Sequence, residues 1–355
     1  MTIEEVYKKW QSLQPLTGEQ EQQLSRKFSI EYNYNSNHLE GNTLTYGQTE
    51  LLLLFGKMTG NGDLKDFSDM KASQVSVRMM TEASQEKDTP LTQNFIRQLH
   101  KVLLREDYTV YRNLPGGMTT SYVVHAGQYK LRPNSVITRY GDRFEYASPE
   151  ETPALMTDLV DWYNSVEPYG KYTPVELAAL FHYRYIRIHP FEDGNGRIAR
   201  LLANYILARH GWPMIVVRNR NKREYLNALH KADLAVGASP SAGANATLDK
   251  ARHFVKYFTQ IVRDEIQADI SFLETKADNV WWYDGLPLKF RSETGFKILR
   301  MMRENPYITY SEMTQRLGIN TSAVQKMVAN MKAKGYIDRL DDGGGWYVFA
   351  IPTVQ

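Results

Sequence analysis

Cysteine is absent from all 355 residues. That excludes disulfide bridges, thiolate metal sites and cysteine nucleophiles, and it fits a reducing compartment. Long apolar runs are missing too. The four leucines Leu51 to Leu54 fall far short of the roughly 20 residues that a membrane span requires. The first ten residues lack the apolar core of a secretory signal, so a cytoplasmic protein without membrane contact is expected. Nor is there an excess of charge. Lys and Arg number 43 against 40 Asp and Glu, and a net +3 gives no general footprint for nucleic acid. What remains is a chain of 355 residues, long for a single core, so two or three units are expected.

Chemistry is concentrated in twelve residues, His189 to Arg200. Upstream, Thr173-Pro174-Val175-Glu176 reads as a capping-box helix start, and Leu177, Leu180, Phe181, Tyr185 and Ile188 recur at helical spacing. One face of that helix should be buried. Pro190 disfavours the α conformation before it, so the helix should end near His189 and leave the imidazole facing a loop. A second helix follows, with Ile198, Leu201, Leu202, Tyr205 and Ile206 as its apolar stripe and Gly211 as its stop. Between the two lies Gly194-Asn195-Gly196. Its glycines let successive N–H groups converge on an anion at a helix N-terminus. Arg197 and Arg200 project from one face, as a clamp on two phosphates requires. Asp193 can hold a magnesium ion beside phosphate oxygens, and His189 is free to act as a general base. These parts add up to transfer of a phosphate-bearing group.

The run resembles, at every defined position, the signature of the Fic family, H-x-F-x-[DE]-G-N-G-R-x-x-R. The resemblance implies transfer of AMP from ATP to a hydroxyl of a target protein, or of the enzyme itself, with release of pyrophosphate. By that likeness His189 deprotonates the hydroxyl, Asp193 binds Mg²⁺, and Gly194, Asn195 and Gly196 hold the α-phosphate. Arg197 and Arg200 would contact the outer phosphates, and Phe191 would anchor the loop in the core. Family members often carry an inhibitory motif, [ST]-x-x-x-E-[GN], which Ser36 to Gly41 fits. On this reading Glu40 pairs with Arg200 and denies it to the γ-phosphate, while Ser36 steadies the inhibitory helix, about residues 25–41.

Residues 45 to 114 read as helices joined by polar loops: Thr45 to Met58, a segment around Phe67 to Ala83, and Thr92 to Leu104. From Gly127 the chain turns β-rich, with a turn at Tyr140-Gly141-Asp142-Arg143. In Fic proteins this stretch is a flap that aligns the target segment by strand addition. Val136, Ile137, Thr138 and Arg139 match its edge and would also reach the nucleotide. The family often has Gly-x-[FY]-Arg here, whereas this chain has Gly127-Gln128-Tyr129-Lys130. Further helices are expected at Glu150 to Asn164, from Arg223, and at Thr247 to Lys276, with a small-residue linker or loop at 237–245. Tyr225 and Asp233 are eight apart and can share a helix face; the resemblance puts them near adenine and ribose.

Past a linker at 278–290, the order is helix (Thr294 to Glu304), helix (Ser311 to Leu317), turn, helix (Thr321 to Lys334), hairpin (Tyr336 to Leu340 with Gly345 to Ala350). That is the winged-helix order, which resembles bacterial transcription regulators. The third helix offers only Lys326, Lys332 and Lys334, and the hairpin tip at Asp341 and Asp342 is acidic. Protein contact is therefore favoured over DNA for residues 291–355.

The reading is thus a mainly α protein. It has an N-terminal helical region (1–110), a Fic-type helical bundle with a β-hairpin flap (111–277) and a C-terminal winged helix-turn-helix domain (291–355). It is a protein adenylyltransferase using ATP and Mg²⁺, autoinhibited by Glu40. The alternatives are removal of AMP or another nucleotide transfer on the same fold, or a DNA-binding regulator whose Fic body senses nucleotide. Self-modification and a homodimer stay open.

Overall fold

The computed structural model describes residues 1–58, 62–113, 118–137, 143–275, 280–339 and 344–352, with the backbone alone at 112, 113, 136, 137, 143, 351 and 352. Contacts divide the chain into two units. One comprises residues 1–34, 42–70 and 264–355, the other 35–41 and 71–263. The fold is mainly α, as the sequence leads one to expect. In chain order the helices are α1 (Ile3–Ser12), α2 (Gly18–Leu39), α3 (Tyr46–Phe55), α4 (Leu64–Gln85), α5 (Gln93–Leu104), α6 (Thr152–Val166), α7 (Pro174–Ile188) and α8 (Asn195–Arg209). They continue with α9 (Lys222–Val236), α10 (Pro240–Ala244), α11 (Arg252–Glu274), α12 (Thr294–Glu304), α13 (Tyr310–Leu317) and α14 (Thr321–Ala333). Among the described residues no helix is long and apolar enough to cross a membrane.

Helices α7 and α8 form the centre of the unit of residues 35–41 and 71–263. Thr173 caps α7 through a capping box with Glu176, and Pro174 stands in its first turn. Twelve of the fifteen residues of α7 are buried and thirteen of the fifteen of α8, so neither has the solvent face that one-sided burial predicts. The polar residues that suggest such a face are satisfied inside. Arg184 donates to the Ala246 carbonyl at 2.9 Å and lies 3.8 Å over the Trp162 ring. Arg187 donates to the carbonyls of Gly237 and Ser239 at 2.8 and 3.0 Å. The 237–245 stretch, expected as a linker or loop, is therefore packed and includes α10. Gly243 permits this approach, for a Cβ there would stand 2.5 Å from the Arg187 guanidinium carbon.

Two hairpins belong to this unit. Strands β1 (Tyr108–Asn113) and β2 (Thr119–Val124) pair antiparallel, with Tyr108 opposite Val124. Helices were expected as far as residue 114, so this hairpin is a correction: its alternating aromatic and β-branched residues favour strands. The expected flap hairpin is present as β3 (Ser135–Ile137) against β4 (Arg143–Glu145), with Val136 opposite Phe144. Its turn, and with it Thr138, Arg139 and Tyr140 to Asp142, lies outside the described residues.

In the other unit, α12, α13 and α14 precede the antiparallel pair β7 (Ile337–Arg339) and β8 (Trp346–Val348), the expected winged-helix order. Thr309 and Asn320 cap the second and third of these helices, and Gly318 ends the second in the left-handed region. Leu299, Met302, Met313, Val324 and Val328 fill the core. Trp281 joins them from a three-stranded sheet in which β5 (Trp281–Tyr283) lies between β6 (Leu286–Pro287) and β9 (Ile351–Pro352). Residues 281–287, expected as linker, thus carry two strands. Beyond β8, Phe349 packs with Ile30, Tyr46 and Leu51, over Gly47, where a Cβ would meet its ring at 2.5 Å. Tyr347 donates to the buried Glu50, which Arg26 neutralises at 2.8 Å. The wing is thereby engaged by α2 and α3 of its own unit. Phe349→Ala should destabilise this unit by about 3 kcal/mol, and Gly47→Val should do comparable harm by overpacking. Urea denaturation followed by tryptophan fluorescence reads both, and unchanged midpoints would contradict this packing.

Candidate functional site

The loop between α7 and α8 is bracketed by two left-handed residues. His189 ends α7 with φ 52° and Gly194 precedes α8 with φ 75°. The first is costly for a residue with a Cβ and is found where surroundings over-determine it. Here they do. Phe191 is wholly buried and stacks on His100, with ring centres 3.7 Å apart and planes at 4°. The Asn195 amide clasps the Phe191 backbone, accepting from its N–H at 3.0 Å and donating to its carbonyl at 2.7 Å. His100 ties the loop down from α5: its Nε2 lies 3.0 Å from the Asp193 carbonyl and its Nδ1 accepts from the Gly127 N–H at 2.9 Å.

The first N–H groups of α8 have no intrahelical acceptor, so the helix opens on an anion-binding end. Two buried guanidiniums flank it. The Arg197 Nε is buried with no hydrogen-bond partner among the described residues, and its Nη2 lies 3.7 Å from Asp193 Oδ2. Arg200, 3% exposed, donates from Nη2 to Glu40 Oε1 at 2.6 Å and to the Ser36 carbonyl at 2.9 Å, and from Nε to Ser36 Oγ at 3.0 Å. The Glu40 side chain keeps 40% of its surface in solvent. Gly196 leaves room for this pair, since a Cβ there would lie 2.3 Å from Glu40 Oε1 and the Glu40 carboxylate would have to shift.

Asp193 is half-exposed. Its Oδ1 accepts from the Gly194 N–H at 2.7 Å and its Oδ2 from the Tyr108 hydroxyl at 2.5 Å. Among the described residues no three His, Asp or Glu side chains gather to hold a metal. Magnesium does not need them. One partly exposed carboxylate, beside phosphate oxygens and water, suits its preference, and Asp193 is such a carboxylate.

His189 faces two amides. Asn134 Nδ2 lies 2.9 Å from its Nδ1 and Asn195 Nδ2 lies 3.3 Å away, while Tyr146 stacks on the ring at 4.0 Å. Burial, with Lys130 nearby, pulls the imidazole down to about 3, and Asp193 opposes them. Tyr225 is buried, 3.0 Å from His182 Nε2; burial pushes its hydroxyl up to about 12 and Arg200 partly offsets this. Asp233 accepts from Tyr183 at 2.9 Å and Arg187 at 3.3 Å.

The structure therefore brings together His189, Asp193, the Gly194 to Arg197 turn, Arg200, Ser36 and Glu40; Tyr225 adjoins Arg200 while pairing with His182, and Asp233 has partners of its own along α7. Sequence reasoning missed Tyr108, His100, Lys130 and Asn134 as residues of the site. Two left a trace: His100 is a histidine within the apolar stripe of Ile96, Leu99 and Leu103, and Lys130 stands where the family often has Arg.

Burial holds His100 and His182 neutral, pulling them down to about 4 and about 3. An unfolded histidine binds its proton near 6.5. Below that value the unfolded chain holds protons the folded one excludes, so stability falls as pH is lowered from about 7 to about 5.5. Urea midpoints across that window should drop. A rise would show that these histidines are charged in the folded protein.

Comparison with known proteins agrees with this geometry. Residues 90–207 match the Fic/DOC family, and residues 291–338 match winged helix-turn-helix DNA-binding. A Fic domain-containing signaling protein from Bacteroides thetaiotaomicron VPI-5482, known by crystal structure, is 53% identical over 76% of this chain and 95% of that one, with a TM-score of 0.70. A Fic family protein from Desulfovibrio desulfuricans G20, 19% identical, shares the fold over 98% of this chain and 93% of its own, at a TM-score of 0.56. Protein adenylyltransferase fic-1 of Caenorhabditis elegans is 30% identical over 251 residues, which are 70% of this chain and 42% of that protein. This chain thus spans less than half the length of that curated relative. The signature loop, the fold around it and the near-complete coverage of the Bacteroides structure make this chain a member of the Fic/DOC family, with a winged helix-turn-helix at its C-terminal end.

Proposed function

We propose that the protein transfers AMP from ATP to a Ser, Thr or Tyr hydroxyl of a target protein, and that Glu40 holds it inactive. The name protein adenylyltransferase, carried by the Caenorhabditis elegans relative, supports the reaction class. The observation that carries the reading is the start of α8, where two buried arginines stand at an anion-binding helix end. One keeps an unpaired N–H, and the other is paired with a carboxylate that water can reach.

In this reading the triphosphate lies along the first turn of α8, received by its N–H groups and by Arg197. Arg200 joins them once Glu40 withdraws, since phosphate and carboxylate compete for the same donors. His189 removes the proton of the incoming hydroxyl. The oxygen attacks the α-phosphorus, the bond from that phosphorus to the bridging oxygen breaks, and pyrophosphate leaves. The negative charge of the triphosphate raises the proton affinity that burial and Lys130 lower. Bound at Asp193, magnesium would neutralise charge on the phosphate oxygens. Asp193 itself is kept in place by Tyr108 and by the Gly194 N–H. Asp233 retains some exposure for a ribose hydroxyl, while Tyr225 bears on the site through Arg200. Among the described residues β3 pairs with β4 alone, which leaves its other edge for a target strand along Ser135 to Ile137. We assign the winged helix to protein contact, because its wing is engaged by α2 and α3.

The test is transfer of label from ATP carrying radioactive phosphorus at the α position, with magnesium, to the protein and to a cell lysate. Loss of a charge-assisted hydrogen bond is worth about 1.5–3 kcal/mol, so Glu40→Gly should label about tenfold faster or more. The additional change His189→Ala should abolish labelling. No labelling by any form that binds ATP would overturn adenylyl transfer, and equal rates for the wild type and Glu40→Gly would overturn the role of Glu40 alone.

A further inference from the structure

The approach to the flap contributes a chain of polar contacts that ends on His189. Lys130 is buried, and its Nζ reaches Asn134 Oδ1 at 2.8 Å, the His189 carbonyl at 2.9 Å and the Ile188 carbonyl at 3.2 Å. Three acceptors match the three donors of an ammonium group, although burial pulls this lysine down to about 7. With its oxygen so held, Asn134 turns Nδ2 toward the Phe191 carbonyl at 3.0 Å and toward His189 Nδ1 at 2.9 Å. The ends of this amide cannot be exchanged in place. Oxygen in the Nδ2 position would face the Phe191 carbonyl, and nitrogen in the Oδ1 position would face the ammonium.

An amide nitrogen only donates. His189 Nδ1 therefore accepts, both from Asn134 and from Asn195, whose own amide is fixed by its two bonds to the Phe191 backbone. The hydrogen of the neutral imidazole must then sit on Nε2, which has no hydrogen-bond partner among the described residues. A nitrogen that carries a hydrogen cannot act as the base.

We infer that Asn134 is a positioning residue that sets the tautomer of His189, that Lys130 sets Asn134, and that the arrangement seen here keeps the imidazole from accepting a proton at Nε2. To accept one there, His189 must first carry its hydrogen on Nδ1, and that requires an acceptor facing Nδ1. In its present position the Asn134 amide cannot be exchanged end for end, so it supplies Oδ1 for this purpose only when Asn134 has moved off the Phe191 carbonyl and the Lys130 ammonium. Asn134 directly precedes β3, so a segment pairing with that strand acts on the residue that sets the tautomer. Docking of a target thereby readies the base, and this block is separate from the hold of Glu40 on Arg200. The inference rests on the reading of His189 as the base of adenylyl transfer.

The test is imidazole nitrogen NMR on protein labelled with ¹⁵N at histidine only, with His189→Ala assigning the signal. Wild type should show His189 with unprotonated Nδ1 and protonated Nε2. Asn134→Asp places an acceptor opposite Nδ1 and should reverse the pair. Lys130→Met releases the Asn134 oxygen and should bring the second tautomer into view, whereas Lys130→Arg should restore the wild-type pattern. In the Glu40→Gly background, Asn134→Asp should raise kcat for label transfer by about tenfold, with KM for ATP little changed. Protonated Nδ1 in the wild type, or a His189 spectrum indifferent to Asn134→Asp, would overturn the inference. So would a change confined to KM. The spectra do not depend on turnover: if they behave as stated while no form transfers AMP, it is the adenylyl-transfer reading that fails.

Discussion

A guanidinium taken out of water must be matched by acceptors, and at Arg200 that requirement organises the site. Buried in α8, the side chain is met by Ser36 twice and by Glu40. The end of α2 is held so that this is possible: Glu40 lies in the turn after the helix, its N–H bonded to the Asn37 carbonyl, and Lys222 donates to the Leu39 carbonyl at 2.6 Å. A side chain at position 196 would push the Glu40 carboxylate out of its present place. Removing Glu40 without a replacement leaves a buried charge short of an acceptor, which is costly. A phosphate is an equivalent replacement, so the site is built for exchange of one anion for another rather than for an empty arginine.

The loop itself does not wait for a ligand. Phe191 plugged against His100, the Asn195 amide closed on the Phe191 backbone, and His100 bonded to the Asp193 carbonyl all fix the backbone from within. The N–H groups at the start of α8 are consequently aimed before anything binds, which is how a site stabilises developing charge without reorganising. The neutral state of His100 is part of this. A charged imidazole would carry a hydrogen on Nδ1, where it must accept from Gly127.

Much of this was legible in the chain. The order of residues from His189 to Arg200 locates the loop, because each acts within one turn and the start of one helix. The capping box at Thr173, the proline after His189 and the winged-helix element order are equally local. Contacts across distant stretches were not legible in that way. Glu40 and Arg200 are 160 residues apart, and the family resemblance rather than periodicity joins them. Lys130 and Asn134 reach His189 from the flap approach; the family's Gly-x-[FY]-Arg marks the position of Lys130, and no pattern marks Asn134. Arg184, Arg187 and Asn204 look like a solvent face on α7 and α8, yet each is buried with partners, since a helix at the centre of a bundle hides its polar residues by pairing them. The β1–β2 hairpin was obscured by the helical pattern on either side of it.

The central claim is that Glu40 and a nucleotide compete for Arg200, and a double-mutant cycle on ATP affinity tests it most directly. Calorimetry on the wild type, Glu40→Ala, Arg200→Ala and the double variant gives the coupling. Glu40→Ala should tighten ATP binding when Arg200 is present and leave it unchanged when Arg200 is alanine. The same effect of Glu40→Ala in both backgrounds would contradict the account.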